Sequence, residues 1–131
     1  MKKAARGLAR LGASIEVILT SPLVRTRQTA EIVAAAFDPI PQIVNAESLA
    51  PGGSYQAVLG ELERHTKRAS IALVGHEPGI GDLAAKLTSS RRGLEFKKGA
   101  VCRIDVDVLP PGEPGILKWF LTPRILREIR K

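Results

Sequence analysis

Two short apolar runs, Ile15 to Leu19 and Ser70 to Val74, each break at once into a polar turn that opens a helix. This repeated step constrains the chain more than any other feature in it. A nearly unbroken apolar run has no wet face, so as a strand it must be covered above and below. Thr20-Ser21-Pro22 follows the first run and Gly75-His76-Glu77-Pro78-Gly79 follows the second. Strand, turn and helix in that order, twice over, predict an α/β chain: a three-layer α/β/α sandwich around a mostly parallel mixed sheet.

The remaining segments fit between these two units. Ala4, Leu8 and Leu11 recur at helical spacing and Gly12 is a stop signal, but no Ser, Thr, Asp or Asn precedes them as a cap. The chain therefore reads as starting inside a helix. The helix after Pro22 is expected to run to about Phe37, ended by Asp38-Pro39 and Pro41, with a second short strand over Gln42 to Asn45. Ser54 can cap a helix whose Tyr55, Val58, Leu59 and Leu62 share one face, and Ile80, Leu83, Ala84 and Leu87 repeat that spacing. In the last third, Cys102, Ile104, Val106 and Val108 alternate with polar residues, as in a strand with one wet face. The turn cluster from Pro110 to Gly115 then leads to a hairpin partner over Ile116 to Leu121.

At 131 residues, 44% hydrophobic and 25% charged, residues 1–131 suit one domain with a real core. A single cysteine, Cys102, permits no internal disulfide and is compatible with a reducing cytoplasm, the expected location. Its place on the apolar face of a strand makes it a core thiol. No apolar stretch approaches a membrane span, and one Cys with two distant His excludes a zinc site. The net charge of +7 favours anionic partners: phosphorylated substrates, nucleic acid or membrane surfaces. Part of that excess sits in Arg124, Arg127, Arg130 and Lys131. The five aromatics are scattered and no helix-turn-helix or RNA-binding motif is present, which argues against nucleic acid.

The carboxyl ends of buried parallel strands are where open α/β sheets bind ligands. Free N–H groups at the following helix starts favour anions there. Arg25 follows the first strand and brings a planar donor fork suited to phosphate oxygens; His76 follows the second and brings an imidazole nitrogen donor. Ser21, at the first turn, is a third phosphate-binding candidate. By position alone, an arginine in a first helical turn is as well explained as a solvated surface residue, and a histidine in a Gly-His-Glu-Pro turn as a structural one. Their repetition after two buried strands is what favours a site.

The segment Ser21-Pro22-Leu23-Val24-Arg25-Thr26-Arg27-Gln28-Thr29-Ala30-Glu31 resembles the signature of the histidine phosphatase superfamily, and Val74-Gly75-His76-Glu77-Pro78 resembles its second-histidine motif. Ala50-Pro51-Gly52-Gly53, Phe96-Lys97-Lys98-Gly99-Ala100 and Trp119-Phe120-Leu121-Thr122-Pro123 are similar to the small SixA-like phosphohistidine phosphatase branch. The resemblance implies a phosphoglycerate mutase-like fold, no metal or other cofactor, and a phosphohistidine-bearing protein or small phosphorylated compound as substrate. It implies a phosphoryl group held by two arginines and two histidines, with Arg25 as the second arginine and His76 as the second, phosphate-contacting histidine. One histidine attacks phosphorus and water then hydrolyses the phosphoenzyme.

The family's opening strand, which ends in Arg-His-Gly and carries the nucleophile, has no counterpart: the only histidines are His65 and His76, and neither sits in that motif. His65, near a helix end, reads as a solvated surface residue. The expected cause is an N-terminal truncation, with a noncatalytic phosphate-binding relative as the alternative. Losing a central strand would expose strand edges and apolar helix faces, so poor stability or rescue as a homodimer is expected. Glu77 and Glu47 are the acids nearest the motifs, and neither is marked out as a proton donor.

Overall fold

The computed structural model describes residues 1–12 and 14–129. Arg130 and Lys131 of the basic tail lie outside them. In chain order the elements are α1 (Lys2–Arg10), β1 (Val17–Thr20), α2 (Val24–Ala35), β2 (Gln42–Asn45), α3 (Tyr55–Leu62), β3 (Ile71–Val74), α4 (Gly79–Leu87), β4 (Val101–Asp105), β5 (Ile116–Leu121) and α5 (Pro123–Glu128), with short 3-10 turns before and after α3.

β1 is the centre of a parallel sheet of order β2-β1-β3. Val17, Ile18 and Leu19 are 0% exposed, as an apolar strand with neighbours on both sides and helices on both faces must be. Leu19 and Val17 pack toward Val58, Leu62 and Leu83 of α3 and α4, while Ile18 packs toward Ala30 and Ala34 of α2. Period-two alternation along one strand thus feeds two separate cores.

β3 departs from the sequence expectation of a buried strand. All four of its residues are only half-buried, because β3 pairs with β1 on one side and forms the edge of its sheet. Its edge carries no charge, proline or bulge, the usual devices that protect a free edge. The antiparallel pair β4-β5 forms a second sheet rather than continuing the first, so the mixed sheet expected from sequence is divided in two. A register shift interrupts the ladder between Arg103 and Ile104, and the pairing then resumes only as far as Asp105, which leaves Val106 and Val108 outside the strand that their alternation predicted.

The hairpin is anchored by α1 and α5. Ala4 and Leu8 pack on Leu126, with Val101, Trp119 and Leu121 against them. α5 was not expected from the sequence, which read this stretch as basic tail. Its start signal is nevertheless present: the Thr122 hydroxyl accepts from the Ile125 N–H at 3.3 Å, and Pro123 occupies the first turn. Ser54 caps α3 as expected, accepting from the Ala57 N–H at 3.1 Å.

Cys102 lies half-buried on β4, and burial pushes its thiol up to about 11 from the ordinary 9.0. The thiolate is the reacting form, so about a hundredfold less of it exists near neutrality than for an unshifted thiol. Labelling with Ellman's reagent at pH 8 is expected to be slow in the native protein and fast in denaturant. The sign for stability follows: the unfolded thiol ionises first, so this contribution is intact below pH 9 and is lost as pH rises toward 11.

Candidate phosphate site at the sheet rim

The carboxyl ends of β1 and β3 are tied together at one rim. The Ser21 N–H donates to the Val74 carbonyl at 3.0 Å, and the Ala46 N–H donates to the Thr20 carbonyl at 2.8 Å. Thr20 and Ser21 are both 0% exposed, so each polar atom there needs a partner within the protein. The Ser21 carbonyl accepts from the Thr20 and Thr26 hydroxyls, both at 3.0 Å. α2 itself begins at Val24, two residues later than the Ser-Pro signal suggested, because the Ser21 hydroxyl is engaged across the rim rather than capping the helix.

That engagement joins two of the three candidates. Ser21 Oγ lies 2.9 Å from His76 Nε2, a contact spanning 55 residues of sequence. The Leu23 N–H already donates to Ser21 Oγ at 3.3 Å, which leaves the serine's own proton free to donate to Nε2. An imidazole accepting at Nε2 carries its proton on Nδ1. The ring is then held with an N–H donor directed away from Ser21, suited to an anionic oxygen. When the ring is protonated, both nitrogens donate and the serine accepts.

Arg25 is placed in the first turn of α2, four residues after Ser21. Its side chain is exposed and makes no hydrogen bond or ion pair among the described residues. Arg27 on the same helix is instead occupied, donating to Asn45 Oδ1 at 2.9 Å and standing 3.5 Å from Glu31. The two arginines of one motif thus have different states: Arg27 braces α2 against the end of β2, and Arg25 is exposed with no partner among the described residues.

Glu77, the residue after His76, is spent on structure. Its Oε1 accepts from the Gly81 N–H at 2.7 Å and its Oε2 from the Phe96 N–H at 3.2 Å. A carboxylate holding two amides in this way is a clamp between the start of α4 and the segment that precedes β4. Glu47 is exposed in the 3-10 turn before α3. His65 differs from its expected solvated state: its side chain is 14% exposed, with Nε2 3.6 Å from Glu61 on the neighbouring turn.

A cavity of about 350 Å³ opens beside His76, walled by Ser48, Pro51, Tyr55, Ile80 and Lys86. Thr20, Thr26 and Glu77 hold the rim together and were not singled out for that role from sequence. Thr26 carried the available signal, since it lies inside the conspicuous Ser21–Glu31 segment.

Residues 1–50 match the model of the histidine phosphatase superfamily, branch 1. An uncharacterized protein of Picosynechococcus sp. is 45% identical over 105 residues, which make up 76% of this chain and 62% of that protein. The chain thus spans less than two thirds of the length of the curated relative it matches. The structure of the protein histidine phosphatase SixA complexed with tungstate superposes with a TM-score of 0.83 at 26% identity, over 95% of this chain and 80% of that one. A candidate SixA phosphohistidine phosphatase of Agrobacterium tumefaciens gives a TM-score of 0.74 at 22% identity, over 93% and 77% of the two chains, a likeness of fold.

Proposed function

The chain belongs to the histidine phosphatase superfamily, and from that premise we propose that it supplies one half of a phosphohistidine phosphatase site, with His76 and Arg25 as its catalytic, phosphate-contacting residues and Ser21 beside them. The observation that carries this reading is the 2.9 Å contact between Ser21 and His76. It presents an imidazole N–H at the rim where the anion-favouring start of α2 also lies. The SixA structure that this chain resembles holds tungstate, a tetrahedral oxyanion of phosphate's shape. In phosphoryl transfer the protein's work is positioning and neutralising charge on the equatorial oxygens. Arg25 and His76 are suited to that work and not to in-line attack.

Attack needs a second histidine. The family's motif for it, Arg-His-Gly at a strand end, does not occur in the 131 residues. The unpaired apolar edge of β3 is the place for such a strand: parallel to β3, it would end beside His76. Its imidazole would form the P–N bond as the bond from phosphorus to the substrate nitrogen breaks, and that nitrogen would leave with a proton. Water then hydrolyses the phosphoenzyme.

The chain alone is expected to bind orthophosphate, seen as a shift of the His76 ring signals in NMR, and to turn over p-nitrophenyl phosphate at background rate. Adding an apolar strand peptide that ends in Arg-His-Gly should produce turnover, and the same peptide with Ala for His should not. His76→Ala or Arg25→Ala should remove that turnover. Orthophosphate leaving both His76 and Arg25 unshifted sinks the reading. The absence of the motif favours one second reading, a noncatalytic phosphoprotein-binding relative, and phosphate binding without peptide-dependent turnover selects it.

A further inference from the structure

The segment between α4 and β4, residues 88–100, has no regular structure, yet it is pinned against the start of α4, next to Glu77, the residue after His76. The Leu94 N–H donates to the Gly81 carbonyl at 3.2 Å, and the Phe96 N–H donates to Glu77 at 3.2 Å. The Phe96 ring packs on Phe120 of β5, with centroids 4.8 Å apart. A Cβ on Gly81 would lie 2.7 Å from Glu77 Oε1 and 3.1 Å from the Leu94 carbonyl carbon, so the close approach depends on glycine there. The segment is therefore a strap laid across the first turn of α4, immediately after His76.

The strap carries Arg91, Arg92, Lys97 and Lys98, all exposed and none in an ion pair among the described residues. Lys86 adds a further cation on the cavity wall, 5.4 Å over the Tyr55 ring. The facing carboxylates are few. Glu77 is occupied by two amides, and Asp82 lies under the strap, with Oδ1 2.6 Å from where a Gly93 Cβ would stand. Glu95 is the strap's own acid. A loose basic segment would be a solvated surface; one pinned by three contacts to Gly81, Glu77 and Phe120 is held beside the turn that carries His76.

We propose that this strap is a docking collar for acidic side chains flanking the phosphohistidine of a substrate protein. The inference rests on the phosphohistidine reading and adds the partner's chemistry: carboxylates around the phosphoryl group, attracted by fixed cations that speed encounter and set orientation. Small phosphorylated compounds would not use the collar.

The test uses the full chain and two peptides carrying a hydrolysis-stable phosphohistidine mimic, one flanked by Asp and Glu and one by Ser and Gly, with binding followed by fluorescence anisotropy across a NaCl series. The acidic peptide should bind about tenfold tighter at low salt, with the advantage fading as salt rises. Lys97→Glu/Lys98→Glu should erase the advantage while leaving orthophosphate binding unchanged. Arg64→Glu/Lys67→Glu makes the same charge change before β3, toward the opposite rim, and should keep the advantage. Equal affinity for both peptides, equal loss in the two variants, or competition by oligo-dT as strong as by the acidic peptide would each overturn the collar. Failure of the wild-type chain to bind orthophosphate would instead overturn the phosphohistidine reading beneath it.

Discussion

Gly7→Ala is expected to lower the stability of the protein by about 3 kcal/mol or more, although alanine is the better helix former by about 1 kcal/mol. Gly7 sits mid-way along α1, where α5 crosses it. An added Cβ would fall inside the contact shell of the Leu126 carbonyl oxygen, 2.7 Å from its carbon and 3.2 Å from its Cα. These are backbone atoms of a helix whose central residue, Leu126, is 1% exposed, so they cannot swing away as a flexible side chain would. The helices must separate, and Ala4, Leu8, Leu126 and Trp119 then lose their packing together. Gly60 in α3 is the matched comparison: a Cβ there meets nothing within 4 Å. Gly60→Ala should therefore stabilise by roughly 0.5–1 kcal/mol through helix propensity alone. Thermal melts of the two variants should move in opposite directions. A Gly7→Ala protein that melts with or above wild type would mean that the α1–α5 seam is not packed as described.

That seam also marks where the sequence was hardest to read. The β1 and β2 units, the capped α3 and the turns that carry Ser21 and His76 were legible because their signals are local: an unbroken apolar run, a capping serine, a turn rich in Gly and Pro. What is decided at long range was not. Ser70 to Val74 has the same apolar character as β1, yet β3 is half-exposed, because burial depends on how many strands flank it. The alternation from Cys102 to Val108 predicted a strand longer than the one that forms, since the partner strand decides where pairing stops. α5 is the exception, a local signal overlooked: Thr122-Pro123 is a good helix start, masked by the basic residues that follow. At the site, Glu77 shows the limit of motif reading. Its position beside His76 suggests chemistry, but its oxygens hold the amides of Gly81 and Phe96.

His76→Ala is expected to weaken orthophosphate binding by about 2 kcal/mol, roughly thirtyfold, the loss of one charge-assisted hydrogen bond. Ser21→Ala should cost about 1 kcal/mol, but by a different route. Ser21 is buried at the join of β1 and α2, and its hydroxyl already receives the Leu23 N–H and faces His76 Nε2. With those contacts made, its effect on an anion runs through the imidazole: it fixes the ring's orientation and keeps the proton on the far nitrogen. The effects of the two substitutions should therefore not add. In the His76→Ala background, Ser21→Ala should change phosphate affinity by less than about 0.5 kcal/mol, so that the double variant binds much like His76→Ala alone. Additive losses would mean that Ser21 bonds the phosphate directly, as its place in the motif first suggested. The measurement is a double-mutant cycle on orthophosphate titrations, with thermal melts of each variant to separate lost binding from lost fold. The outcome decides whether Ser21 and His76 are two independent donors to a phosphoryl group beside Arg25, or one donor and the residue that aims it.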